Sequence, residues 1–328
     1  MPDAPTTTIE QIDGLRTAVL REPATGSEAR VVLDVGANVH RFRTRVGGRE
    51  VDVLASAPDA ATLRERPTRF GSAPLFPYPG RIEGGRFTFR DREIQLPTGP
   101  DGNAIHGFAR ARPFALRGQG PGPGSVVAEL SSEGVPPQEW PFPCRLTLTI
   151  SLERGALRVA SQVENTGGEP MPFGLGFHPY FPASPEHEVW IEADERWEQA
   201  GQGLPTGQIE PLGPDGGLRR ARALREIPPQ IKMPEGDVRN LLFRRRQGGI
   251  LAGVRDPRGG YEVELTCSDG FGAMVFFTPV QPPVVSLEPH TCVPNAVNLS
   301  SRGLPAGTIE LGPGQSWQGW WELRARAI

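Results

Sequence analysis

Lysine is all but missing from this 328-residue chain: Lys232 is the single one, so 34 of the 35 basic side chains are arginine. Adaptation to high temperature explains this poorly, because its signature is Lys/Glu enrichment. Codon bias of a GC-rich genome explains it better, so each arginine has to be judged by its position. Cysteine is scarce and odd in number. Cys144, Cys267 and Cys292 are widely spaced, with no C-x-x-C and no Cys/His cluster. Neither a disulfide framework nor a zinc site is indicated, and a reduced, cytoplasmic protein is the economical reading. The opening MPDAPTTTIEQIDG has no basic patch and no apolar core, so no secretory signal is expected. No stretch approaches about 20 uninterrupted apolar residues, so no membrane span is expected either. A net charge of −3 with a pI near 6.0 lacks the clustered base of a nucleic-acid binder.

Helical periodicity is also wanting. What the chain has in quantity is glycine and proline, 41 and 36 residues, scattered between apolar runs instead of gathered in a tract. That pattern favours many short strands and turns and argues against a helix bundle. Arg145–Val163 is the clearest case. Leu146, Leu148, Ile150 and Leu152 share one face, and after Arg154-Gly155 the residues Leu157, Val159 and Ser161 alternate back. Period 2 around a two-residue turn predicts a hairpin. A second hairpin is predicted over Arg86–Leu96, around Asp91-Arg92. Strand-like runs also cover Ala29–Val46, Glu188–Ile191, Leu241–Val254, Tyr261–Cys267, Ala273–Thr278, Val284–Glu288 and Trp317–Ala325. Only Gly217–Glu226 reads as a short helix. Residues 1–13 read as a disordered tail, and 14–328 as a single domain built as a large antiparallel β-sandwich.

The five histidines can be weighed one by one. His40, in an arginine-rich strand, and His187, in an acidic loop, read as solvated or structurally bonded. His106 precedes a glycine in Asn103–Arg110 (NAIHGFAR), and His178 precedes a proline in Gly174–Phe181 (GLGFHPYF). Residues that bend or stiffen the backbone hold an imidazole at a defined place. Glu288 closes the apolar run Val284–Leu287, where burial would raise a carboxylate's pKa and make it a better proton acceptor. A carboxylate facing an imidazole is the minimal equipment for moving protons in opposite directions. The alternative is a glutamate that caps a turn or pairs with an arginine, and composition alone does not choose. His290, two residues on, reads as structural. Other templates fail: there is no G-x-S-x-G elbow, Walker loop or dinucleotide fingerprint, and the histidines lack metal-ligand spacing.

From about Leu75 onward the chain resembles the aldose 1-epimerase (mutarotase) family. The resemblance is carried by Phe76–Ile82 (FPYPGRI) with Gly85-Arg86-Phe87, by NAIHGFAR, by GFHPYF, by Leu204–Gly207 (LPTG), by Glu288 with Asn295-Ala296, and by the ending Gly303-Leu304 and Leu311-x-Pro313-Gly314. It implies a β-supersandwich with a sugar-binding cleft on one sheet, a small-molecule sugar substrate and no cofactor or metal. On the same basis His178 is the general acid and Glu288 the general base. Arg81 and His106 bind or orient the sugar, and Asp237 matches the family's sugar-binding aspartate. Two departures stand out. The family asparagine before Arg81 is Gly80 here, and HGFAR replaces HGG, a form similar to the branch acting on hexose 6-phosphates. Three activities stay open: a mutarotase of free aldohexoses, which we favour; a hexose-6-phosphate 1-epimerase in which Arg110 and Arg112, with Arg81, clasp the phosphate; and a non-catalytic carbohydrate-binding protein. The acid and base pair speaks against the last.

Overall fold

The computed structural model describes residues 4–213, 216–231, 238–279 and 283–328. Strand is the dominant element, and the two α-helices among the described residues, Ala60–Glu65 and Ala296–Ser301, are six residues each. None is long and apolar enough to cross a membrane. Three antiparallel sheets make the body. The first has five strands, Thr6–Ile12, Leu15–Glu22, Ser27–Val32, Asn38–Val46 and Arg49–Asp52, paired in chain order. Nine strands form the second, whose middle is the hairpin Cys144–Glu153 and Ala156–Asn165 followed by Ser316–Ala327 and Tyr261–Cys267. The third has seven strands, and four adjacent ones within it are Arg239–Arg244, Ala273–Thr278, Val284–His290 and Gly176–Pro182.

Alternation sets which sheet faces meet. In the long hairpin Leu146, Leu148, Ile150 and Leu152 are fully buried on one face, as are Leu157, Val159 and Val163 across from them. In the seven-stranded sheet Phe177, Phe276, Val285 and Leu287 turn toward the same core. The Phe177 ring meets Trp321 of the nine-stranded sheet at 5.3 Å and Phe271 at 6.3 Å, both tilted. Burying aromatics of this size contributes most of the packing energy of such a core. The residues between them, His178, Val275 and Glu288, therefore emerge on the opposite face. That face carries the cavity.

Both predicted hairpins form, with Arg154-Gly155 turning the longer one; the shorter one turns at Arg90-Asp91, one residue before the expected Asp91-Arg92, which sets Phe87 opposite Ile94 and Phe89 opposite Arg92. Two further expectations are corrected. Residues 1–13 are not a tail throughout: Thr6–Ile12 pairs with Leu15–Arg21 along its whole length, because an edge strand with few buried side chains can still be held by its backbone ladder. Gly217–Glu226 is not a helix. Arg222–Ala223 bridges to Glu188–Val189, and Leu224–Glu226 is one 3-10 turn, since Leu218 and Leu224 are both buried in the core and a surface helix would not place them so.

Candidate active site

Three neighbouring strands build the floor of a cavity of about 720 Å³. Val284–His290 presents Ser286, Glu288 and His290 on one side, two residues apart. The pairs Gly176 with His290 and Tyr180 with Ser286 place His178 opposite Glu288. Pro179 and Pro289 carry no N–H, so the ladder lapses there. On the other flank Val275 pairs with Glu288, and Val275 and Phe277 line the same cavity. Glu288, His178 and His290 are all buried, and Glu288 is the sole carboxylate among the described residues lining the cavity.

His178 Nε2 stands 3.3 Å from Glu288 Oε1. The opposite ring nitrogen is held by Ser286. The Ser286 hydroxyl donates to the Pro179 carbonyl at 2.8 Å, so at 2.9 Å it accepts from His178 Nδ1. That places a proton on Nδ1 and leaves Nε2 as the position whose protonation varies. Tyr180 stacks on the imidazole at 4.6 Å, with its hydroxyl 3.4 Å from Nε2. Burial pushes the tyrosine pKa well up, with the Glu288 charge adding to it, so the phenol keeps its proton. Burial also holds the His178 pKa below the ordinary histidine value of 6.5, against the opposing pull of Glu288.

His106 enters from a loop. Its φ is 62°, a left-handed conformation uncommon for a side chain with a β-carbon. The next residue must be glycine, because a Cβ on Gly107 would stand 2.2 Å from the Phe76 carbonyl oxygen. His106 Nδ1 accepts from the Gly80 N–H at 3.1 Å, so in the neutral ring the proton sits on Nε2. Burial first, and then the charges of His178 and Arg110, keep its pKa well below 6.5. Its ring meets that of His178 edge-on at 5.7 Å.

Arg81 lies on the rim, its Nε donating to Asp101 at 2.7 Å. The Asn295 N–H donates to the Arg81 carbonyl at 2.6 Å, and Asn295 Oδ1 accepts from the Glu83 N–H, so the Asn295-Ala296 motif braces the arginine turn. Gly80, where the family carries asparagine, has φ 68° and is covered by Pro294, whose Cγ would lie 2.6 Å from an added Cβ. Arg110 reaches the cavity, is partly buried with its pKa lowered by desolvation, and has no carboxylate partner among the described residues. Arg112 does not line the cavity. It pairs with Glu139 at 2.8 Å and lies over the Phe108 ring. Asp237 lies outside the described residues.

Sequence reasoning missed Tyr180, Ser286 and His290, although period 2 counted outward from His178 and Glu288 would have found them, and Phe277, which only the pairing of the next strand brings in. It also missed Arg69, which lines the cavity with no side-chain partner among the described residues, and Gln202, which accepts from the Asn103 amide. His187 is held by Ser184 away from the cavity.

The chain is 32% identical to the Escherichia coli K12 protein YphB over 141 residues, 42% of this chain and 46% of that protein, so the aligned stretch spans less than half of YphB. It is 24% identical to YihR of the same organism, over 68% of this chain and 70% of YihR. A galactose mutarotase-like protein from Clostridium acetobutylicum superposes with a TM-score of 0.82 at 22% identity, covering 99% of each chain. The galactose 1-epimerase of Lactobacillus acidophilus does so at 0.74 and 15% identity, covering 98% of each. The fold is thus galactose mutarotase-like. The aldose 1-epimerase family model matches residues 20–324, so the chain belongs to the aldose 1-epimerase family.

Proposed function

We propose that the cavity interconverts the α and β anomers of a free aldohexose, with Glu288 as general base and His178 as general acid. The observation that carries the reading is the facing pair, Glu288 Oε1 and His178 Nε2, on the floor of the cavity. Glu288 takes the proton of the C1 hydroxyl while His178 protonates the ring oxygen, and the C1–O5 bond breaks. The open aldehyde turns about C1–C2. Reclosure returns each proton with the roles reversed. Arg81 and His106 orient the sugar hydroxyls, and Asp237 is proposed to bind one as well.

Each acid or base group contributes about 10²–10⁴-fold. Glu288→Gln keeps the shape and removes the acceptor. His178→Asn removes the donor. Polarimetry on freshly dissolved glucose and galactose should show kcat reduced by two orders of magnitude or more in each. A Gln variant that epimerises at nearly the wild-type rate would falsify the assignment.

A second reading takes a hexose 6-phosphate. What favours it is the pair of arginines, Arg69 and Arg110, that line the cavity without carboxylate partners among the described residues. The clamp of Arg110 with Arg112 is not supported, because Arg112 is engaged with Glu139.

A further inference from the structure

His290 is fully buried, yet neither ring nitrogen has an aligned hydrogen bond among the described residues. A buried polar atom without a partner costs stability, and an apolar side chain of similar size would avoid that cost. Something at this position therefore calls for an imidazole. Nε2 lies 3.2 Å from Glu288 Oε2, so the carboxylate sits between two rings, with His178 on its other oxygen. Room for the second ring exists because residue 176 is glycine. A Cβ there would stand 2.4 Å from His290 Cδ2 and 2.9 Å from Nε2.

We propose that His290 is a positioning residue for the epimerase reaction: its Nε2–H holds Oε2 of Glu288 and so fixes where Oε1 points. The inference rests on the proposed function. The last torsion of a glutamate is broad and roughly two-fold, so an unheld carboxylate would sweep its basic oxygen away from the C1 hydroxyl. No other side chain of the described residues does this work. His178 approaches from the Oε1 side with the Tyr180 hydroxyl against its Nε2, His106 faces His178, and Arg69 and Arg81 stand on the rim. The 3.2 Å contact lacks hydrogen-bond alignment; catalytic hydrogen bonds are often long or poorly aligned until substrate is bound.

Two variants and one spectrum test this. His290→Leu fills the space without a donor, and His290→Gln returns an amide N–H near the Nε2 position. The Leu variant should lose kcat on the order of 10²-fold, with KM within about twofold of wild type, and the Gln variant should recover most of that loss. A merely structural role would lower the melting temperature and leave kcat per folded molecule unchanged. In ¹⁵N-histidine spectra the His290 Nε2 signal should move in Glu288→Gln. Folded Leu variant at wild-type kcat, or a His290 signal indifferent to Glu288→Gln, overturns the proposal. Should the Leu variant not fold, the Gln variant and the spectrum decide. If wild-type protein turns over no aldose, the epimerase reading fails by itself, and the spectrum still tells whether His290 holds Glu288.

Discussion

Ser286 sits 2.9 Å from His178 Nδ1 with its own proton committed to the Pro179 carbonyl. The strand that carries Glu288, the proposed base, thus also fixes the tautomer of His178, the proposed acid. Ser286→Ala removes the acceptor and lets the ring rotate or exchange tautomers. We expect kcat to fall by about tenfold and the His178 Nδ1 proton, visible downfield in ¹H spectra, to broaden or vanish. Unchanged kcat with a sharp signal would show that the ring is held by its stacking on Tyr180 alone.

The pH profile should be asymmetric. Burial holds His178 below 6.5, so the imidazolium proposed to donate to the ring oxygen is lost as pH rises through and beyond that region. The alkaline limb of kcat/KM, which reports the free enzyme, should lie below 6.5 and disappear in His178→Asn. A limb well above 7 would mean that another group supplies the proton.

Substrate charge can be read by comparison. A charge-assisted bond to phosphate contributes roughly 1.5–3 kcal/mol, which is tenfold or more in affinity. We expect glucose or galactose to have kcat/KM at least equal to that of glucose 6-phosphate, and Arg110→Ala to reduce all three alike. A strong phosphate preference that collapses in Arg110→Ala or Arg69→Ala would establish the second reading instead.

Stability should depend on His40, which does not line the cavity that holds Glu288 and His178. Burial, aided by Arg30, pushes its pKa down to about 4. Above 6.5 the ring is neutral in the folded and unfolded chains alike and costs nothing. Below 6.5 the unfolded chain binds a proton that the folded one refuses until about 4, so stability falls with decreasing pH across that window. The slope attributable to one proton is about 1.4 kcal/mol per pH unit. His40→Gln should flatten the decline by up to that amount in urea titrations between pH 7 and 4.5. Parallel curves for the two proteins would show that His40 titrates normally.

Where side-chain alternation is strong, the sequence reading and the structure agree. Leu146 to Leu152 and Leu157 to Val163 declared a hairpin down to its turn. Thr6–Ile12 went unread because its side chains are mostly solvent-facing and its hold is the backbone ladder. Gly217–Glu226 has good helix formers, but burial of Leu218 and Leu224 outweighs propensity. At the site, His178 and Glu288 were legible through neighbouring motifs, and the structure sets them face to face. Arg112 was not, since a charge on a strand-like segment gives no hint that Glu139 will claim it. His290 was passed over because no motif around it marked it out before the register put it on the Glu288 face.

The middle of the nine-stranded sheet is the strand Ser316–Ala327, seated between Ala156–Asn165 and Tyr261–Cys267. It is synthesised after every other strand of that sheet. Until it emerges, the two flanking halves have no shared partner, and Trp321 is not yet there to back Phe177, the residue directly before His178. During translation, then, the strands of His178 and Glu288 wait on a wall that arrives last. A ribosome-stalled chain ending before residue 316 should be protease-sensitive across both halves, however much of the cavity it already encodes.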